Sequence, residues 1–283
     1  MEAEAHPGDH VRLAGGDLAA GEEVFGPGTA LGAGHLGVLA SVGLDRVEVV
    51  RRARLGVLST GDELVEGSGP LRPGQIRDSN RPALLALARA CGCDAVDLGL
   101  ARDEPGRIRA ALDRGLESCD AIVTSGGVSV GDFDYVKEVL DDLTQGTMRW
   151  MQVAIRPAKP FAFGTVGGVP VFGLPGNPVS SMVSFELFAR PGLRRMMGHT
   201  DIDRPRVSAV ADQDLRRQPD GKVHFVRVVA EPRDDGRVHV RPSGGQESHL
   251  LRAMALANAL VVLPDGHGVE AGADVEAMLL YVG

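Results

Sequence analysis

Apolar positions along residues 54–198 come in two alternating rhythms. Short β-rich runs fall at Leu55–Ser59, Asp94–Leu98 and Ala121–Thr124, and between them lie stretches with helical spacing, Arg81–Ala90 and Glu104–Leu116. Tyr135, Val136, Val139, Leu140 and Leu143 repeat the helical spacing after the third run, and Val183–Met197 contains a later helix. This alternation predicts an α/β fold, a doubly wound and mostly parallel sheet with helices on both faces and ligand loops at the carboxyl ends of the strands. Beyond Asp203 the rhythm changes. Val207–Ala211, Lys222–Glu231, Arg237–Arg241, Ala259–Leu263 and Asp274–Leu280 read as short strands separated by Gly, Pro and Asp turns, which predicts a small C-terminal β-barrel or sandwich. Residues 1–50 are Gly-rich, with turns and short strands over Gly21–Thr29 and one helix over Leu31–Val42, too short a stretch to bury a core of its own. The expected division is therefore 1–50, 51–203 and 204–283.

The third strand empties into a glycine-rich turn, Ser125-Gly126-Gly127-Val128-Ser129-Val130-Gly131-Asp132, and a helix follows it. Glycines let a backbone approach a ligand closely, and the free amides and positive dipole end of the next helix favour an anion. Asp132 is placed to cap that helix, and Asp134 and Lys137 set a carboxylate and an ammonium on one face beside the loop. The sequence matches neither GxGxxG nor a Walker motif, and plain strand-to-helix geometry also uses Gly-Gly turns. A second loop of the same kind, Gly173-Leu174-Pro175-Gly176-Asn177-Pro178-Val179-Ser180, strengthens the ligand reading, with Pro178 in the first turn of the helix it opens. Ile155-Arg156-Pro157-Ala158-Lys159-Pro160 stiffens two cations ahead of an apolar strand, as an oxyanion site requires, although a basic hairpin edge has similar composition. Acids stand where other strands end, at Asp62-Glu63 and at Asp103. Gly74–Asn80 reads as a helix lead-in with Ser79 or Asn80 as the cap.

Composition narrows the partners. The 283 residues are 43% hydrophobic and carry a net charge of −8, which argues against a nucleic-acid backbone as partner. There are three lysines against 27 arginines, and two of the lysines, Lys137 and Lys159, fall in candidate ligand loops. The longest apolar runs are too short to span a membrane, and the first residues lack the pattern of a signal peptide, so no membrane partner and a cytoplasmic location are expected. Cys91, Cys93 and Cys119 form neither a CxxC pair nor a local Cys/His set, and buried free thiols are expected.

Taken in order and spacing, Ser59–Leu64, Ser125–Lys137, Ile155–Gly164 and Gly173–Ser180 resemble the molybdopterin molybdenumtransferase family. Nearly the whole chain takes part: Val11–Asp17 with Ala20–Glu22 is similar to an early segment of that family, and Phe225–Arg227, Ser243–Ser248 and Asn258–Pro264 to its C-terminal β-domain. The resemblance implies a MogA-like molybdopterin-binding α/β domain followed by a β-barrel. It implies an enzyme of molybdenum cofactor biosynthesis that inserts molybdate into adenylylated molybdopterin and releases AMP, assisted by Mg²⁺. On the same ground Glu63 and Asp103 become acidic residues for metal or water, and Asp134 and Lys159 join them as catalytic candidates. Ser129 matches the nucleotide and pterin site, and Asp62, Ser125, Gly126, Gly127, Gly131, Asp132 and Lys137 extend it. Arg156 and Lys159 match two lysines near the molybdate, Arg156 keeping the charge but changing the shape. Pro175, Gly176, Asn177, Pro178 and Ser180 match the Pro-Gly-Asn-Pro loop, and Arg227 and Ser248 match β-domain residues that reach the oxyanion.

Family members also carry a long N-terminal portion ahead of the Arg12–Asp17 equivalent, which builds a homodimer and lends residues to the partner's cleft. Almost all of that portion is missing ahead of Arg12, so two expectations stand: a truncated family member whose upstream sequence is lost, or a genuine short variant in which dimerisation and turnover are open. The alternative expectations are a non-catalytic molybdopterin-binding or scaffold module, a MogA-type adenylyltransferase, disfavoured by the extra β-domain, and a simple α/β nucleotide binder.

Overall fold

The computed structural model describes residues 6–128 and 135–280. It divides into two units, one formed by the residues up to Val49 with Gly198–Thr200, the other by Val50–Met197 with Asp201 onward. Within the first unit α1 (Ala33–Ser41) is the one regular element among the described residues, and Gly21–Thr29 forms turns without the expected short strands.

The second unit begins with β1 (Arg54–Thr60), β2 (Leu64–Val65), β3 (Ile76–Arg77), α2 (Asn80–Ala90), β4 (Asp94–Ala101), α3 (Pro105–Ser118) and β5 (Ala121–Ser125). It continues through α4 (Tyr135–Leu143), β6 (Arg149–Gln152), β7 (Ile155–Arg156), β8 (Pro160–Val166) and β9 (Val169–Leu174). Next, α5 (Pro178–Ser184) runs through a π-helical turn at Phe185–Ala189 into α6 (Arg190–Met196). The main sheet has the order β4-β1-β5-β9-β8-β6, the first four strands parallel and the last two added by antiparallel pairing, β8 to β9 and β6 to β8. Alternation along the strands decides which face each side chain serves. Leu55 and Val57 of β1 pack with Leu84, Ala88, Phe185 and Leu193 of α2 and α5–α6, whereas Leu58 packs with Ile108, Leu112, Val136 and Leu140 of α3 and α4. The sheet is thus covered on both sides, as its alternation predicts. Gly167 and Gly168, with φ of 57° and 89°, turn β8 into β9, the two-residue glycine hairpin that right-twisted strands favour.

The remaining elements are β10 (Arg206–Ala211), β11 (Leu215–Arg216), β12 (Val223–Pro232), β13 (Val238–Pro242), α7 (Leu251–Leu256), β14 (Ala259–Leu263), β15 (Gly268–Val269) and β16 (Asp274–Leu279). Strands β13, β10, β16, β14 and β12 pair in turn, and β12 pairs back with β13, so five strands close into a barrel around Ala209, Val228, Val240, Val261 and Ala277. Of the two architectures open from the sequence, closure selects the barrel. Barrel and sheet share a second apolar cluster, in which Ile155, Ala158, Val179 and Val183 meet Phe225, Met254, Leu260 and Met278. Cys91, Cys93 and Cys119 are buried and free, as expected. No described helix is long and apolar enough to cross a membrane.

Candidate functional site

The carboxyl ends of β1, β4, β5 and β9 open into the loops that the sequence marks out. After β5, Gly126 donates its N–H to Leu174 O at 3.1 Å, tying this loop to the end of β9. Both glycines of the turn have positive φ, 98° at Gly126 and 71° at Gly127. Neither position has room for a side chain: a Cβ on Gly126 would lie 2.8 Å from Thr60 O, and one on Gly127 would lie 2.2 Å from Val136 Cβ. The second glycine loop comes against the first, because a Cβ on Gly176 would sit 3.9 Å from Gly126 Cα. Ser125, Gly126, Gly127, Pro175, Gly176 and Asn177 are therefore brought together. Ser129, Gly131, Asp132 and Asp134 lie outside the described residues.

On the β1–β4 side, Asp62 and Asp103 hold one another's loops reciprocally. Asp62 N–H donates to Asp103 Oδ2 at 3.4 Å and Asp103 N–H to Asp62 Oδ1 at 3.2 Å. Glu63 is exposed, and its carboxylate lies back over Gly61, within 2.9 Å of where a Cβ would stand.

The lead-in to α2 departs from its expected role. Ser79 occupies the N-cap position without a side-chain cap bond, and Asn80 points across the fold instead. Asp78 takes over: its Oδ1 accepts the Arg81 N–H at 3.1 Å and the Ser59 hydroxyl at 3.1 Å. Arg81 then pairs with Asp78, Asp97 and Glu66. Partial burial alone would raise the Asp97 pKa, but hydrogen bonds from Arg81 and the Gly99 N–H hold it below the usual carboxylate range. These residues border a cavity of about 300 Å³ between Val65–Gly67, Arg77 and Pro82.

The cation turn leaves the sheet at its first end and returns to it at its second, where Pro160 begins β8. Ile155 and Arg156 form β7, which pairs in parallel with Val223 and His224 of the barrel strand β12. Arg156 and Lys159 are exposed, and Ala158 between them is buried with φ of 79°, an unusual conformation for a residue with a side chain. Ala158 and Ile155 pack in the cluster that contains Val179, so the cation turn lies against the start of α5. His224, beside Arg156 in register, is lowered in pKa by burial, with Arg217 and Arg156 adding to the effect and Asp220 opposing it. The barrel reaches the same place through Ser248, whose carbonyl accepts the Val179 N–H at 3.1 Å. That bond takes one of the amides a helix start leaves without an intrahelical partner, and Ser180 beside it is buried.

Two further candidates have contacts of another kind. Arg227 is wholly buried, its Nη2 donating to Gly245 O at 2.9 Å and Glu247 O at 3.2 Å, and burial lowers its pKa. It shapes the Ser243–Ser248 loop from within. Lys137 lies 5.6 Å from the centre of the Trp150 ring, on the face of α4 that meets β6.

Sequence reasoning missed Asp78, Asn80, Arg81 and Thr60. The Asp-Ser-Asn-Arg run carries a capping signal, and nothing in it announces partners so distant in the chain. Among the described residues no group of three or more His, Cys, Asp or Glu is arranged to hold a metal ion.

Comparison with known proteins assigns both halves of this arrangement. Residues 56–195 match the family model of a probable molybdopterin binding domain, and residues 209–280 match the MoeA C-terminal region, domain IV. A molybdopterin molybdenumtransferase of Haemophilus influenzae is 37% identical over 271 residues, covering 95% of this chain and 66% of the relative. Molybdopterin molybdenumtransferase 2 of Mycobacterium tuberculosis is 40% identical over 269 residues, covering 94% of this chain and 65% of the relative. The chain thus spans about two thirds of the length of the curated relatives it matches. The crystal structure of a molybdopterin biosynthesis MoeA protein from Pyrococcus horikoshii superposes with a TM-score of 0.78 at 28% identity, covering 95% of this chain and 65% of that one. With the sheet, the barrel and the loops between them all matched, the chain belongs to the MoeA family of molybdopterin molybdenumtransferases.

Proposed function

We propose that this chain carries the molybdate-insertion step of molybdenum cofactor biosynthesis, in which adenylylated molybdopterin receives molybdenum and AMP is released. The observation that supports it most is the meeting of the two glycine loops at Gly126 and Gly176, beside a rigid turn that exposes two cations. Backbone amides and glycines suit the phosphate and pterin portion of such a ligand, and Ser125, Ser129, Gly131, Asp132, Asp134 and Asn177 are the residues we assign to it. Arg156 and Lys159 would hold the tetrahedral oxyanion, with Ser248 and the start of α5 on its far side. Residues 51–203 would then form the pterin-binding domain and 204–283 the barrel that covers it.

Glu63 and Asp103 are the acids we assign to a magnesium ion and to proton transfer. Magnesium is often bound by one or two carboxylates with the rest of its shell from substrate phosphate and water, so hard oxygens at these two positions fit it. When bound, the ion would neutralise charge on the phosphates.

The test is to incubate the purified chain with adenylylated molybdopterin, molybdate and Mg²⁺, and to assay AMP together with activation of a molybdenum-free apoenzyme. We expect both, and expect Lys159→Ala to lower the rate roughly 10²-fold by removing one oxyanion contact. Tight molybdopterin binding without AMP release would instead identify a non-catalytic binding module. No binding at all would refute the assignment.

A further inference from the structure

The start of α2, with Asp78 just ahead of it, reaches all four parallel strands of the main sheet. Asp78 accepts the hydroxyl of Ser59 on β1, and Arg81 pairs with Asp97 on β4. Asn80 serves the other two: its Nδ2 donates to Ser125 Oγ at the end of β5 at 2.8 Å and to Gly176 O, just beyond β9, at 2.7 Å. These partners lie 45 and 96 residues away, so the side chain is no local cap. A backbone carbonyl can only accept, so the NH₂ end of the carboxamide must face Gly176. The other end, Oδ1, is buried with no hydrogen-bond partner among the described residues, and the two donated bonds alone set the orientation of the group.

Those two bonds join the two glycine loops. No side chain stands between Gly126 and Gly176; the Gly126 N–H to Leu174 O bond ties the two loops where they leave the sheet, and Asn80 adds a tie further out, at Gly176. Ser125 is in turn 3.4 Å from the hydroxyl of Ser181 in α5, which extends the bridge from β5 through Asn80 to both ends of the second loop.

We propose that Asn80 is a positioning residue that sets the separation of the two glycine loops and, through it, the affinity of the cleft for molybdopterin. The second half of this proposal rests on the molybdopterin reading above; the first half does not. Asn80 touches no ligand in this scheme. Removing its carboxamide lets the loops move apart while every residue that contacts ligand is still present and chemically unchanged.

Two variants separate the donor from the shape: Asn80→Ala removes the group, and Asn80→Asp keeps its size but offers oxygen where Gly176 O needs a proton. The first measurement uses no ligand. Amide exchange at Gly126 and at residues 179–181 should accelerate at least tenfold in both variants, with exchange on the distant barrel strands unchanged. The second is titration of the full chain with molybdopterin below the melting temperature, where Kd should weaken at least tenfold in both with the number of sites per folded chain preserved. A merely structural defect would lower the number of sites and leave the Kd of the remainder alone.

Should Asn80→Ala not fold, Asn80→Asp decides, and the wild-type carboxamide decides without any variant. Its two protons should be protected from exchange and should shift when molybdopterin saturates the chain. Unchanged loop exchange in a folded variant, freely exchanging carboxamide protons in the wild type, or a variant Kd within twofold of wild type overturns the proposal. A wild-type chain that binds no molybdopterin, with loop exchange accelerated in the variants, refutes the functional reading and the affinity half of the proposal while leaving the bridge intact.

Discussion

Asp78 is a carboxylate whose side chain is 1% exposed, yet each of its bonds has a donor: the Ser59 hydroxyl, the Arg81 N–H and the Arg81 Nε. A buried charge of this kind is tolerable only while fully partnered. Asp78→Ala should therefore lower stability by about 2–4 kcal/mol, because it strands a buried hydroxyl and a helix-start amide and removes one of the partners of Arg81. Urea unfolding of the variant measures this, and a change under about 0.5 kcal/mol would mean the network has no energetic weight. At this scale the sequence was legible where a residue's job is local. The two glycine loops, the acids after β1 and β4 and the cations around Ala158 could be named because glycine, proline and charge act on the backbone or solvent beside them. Asp78, Asn80 and Thr60 could not, since each is defined by a partner on another strand.

Among elements, the loop glycines set how closely β5 and α4 approach. Gly127→Ala should be severe, because it combines an unfavourable φ with a Cβ placed against Val136; about 2–4 kcal/mol is expected. Gly176→Ala is the contrast: its Cβ would meet nothing nearer than 3.9 Å, and its stability should stay within about 0.5 kcal/mol of wild type. Thermal unfolding of the pair side by side checks the argument, and equal losses would refute it. Most strand and helix positions followed from apolar periodicity to within a few residues, because burial on one face or two dictates the pattern directly. What periodicity did not reveal was pairing. That β8 and β6 join one edge by antiparallel pairing, and that β7 deserts the sheet for the barrel, depends on contacts a short apolar run cannot encode. The helix α7 also escaped, being only six residues long with two of them buried.

For the unit from Val50 onward, the shared cluster of Val179, Val183, Phe225 and Leu260 makes the sheet and the barrel depend on one another. Leu260 is fully buried in β14, so Leu260→Ala should cost about 2–5 kcal/mol. The only tryptophan, Trp150, lies in the sheet on β6, and its fluorescence transition should nevertheless shift with the barrel's own. A Trp150 transition that stays in place would show that the two parts unfold separately. The departure of β7 carries a mechanical consequence. Arg156 is strapped to the barrel by its pairing with β12, whereas Lys159 is held on the sheet side, its carbonyl accepting the Val153 N–H at 2.7 Å just before β8 begins. Any swing of barrel against sheet would change the spacing of the two cations, because the short stiff stretch between them joins both parts. The two cations stand on opposite jaws of a calliper, and an anion gripped by both would fix its opening.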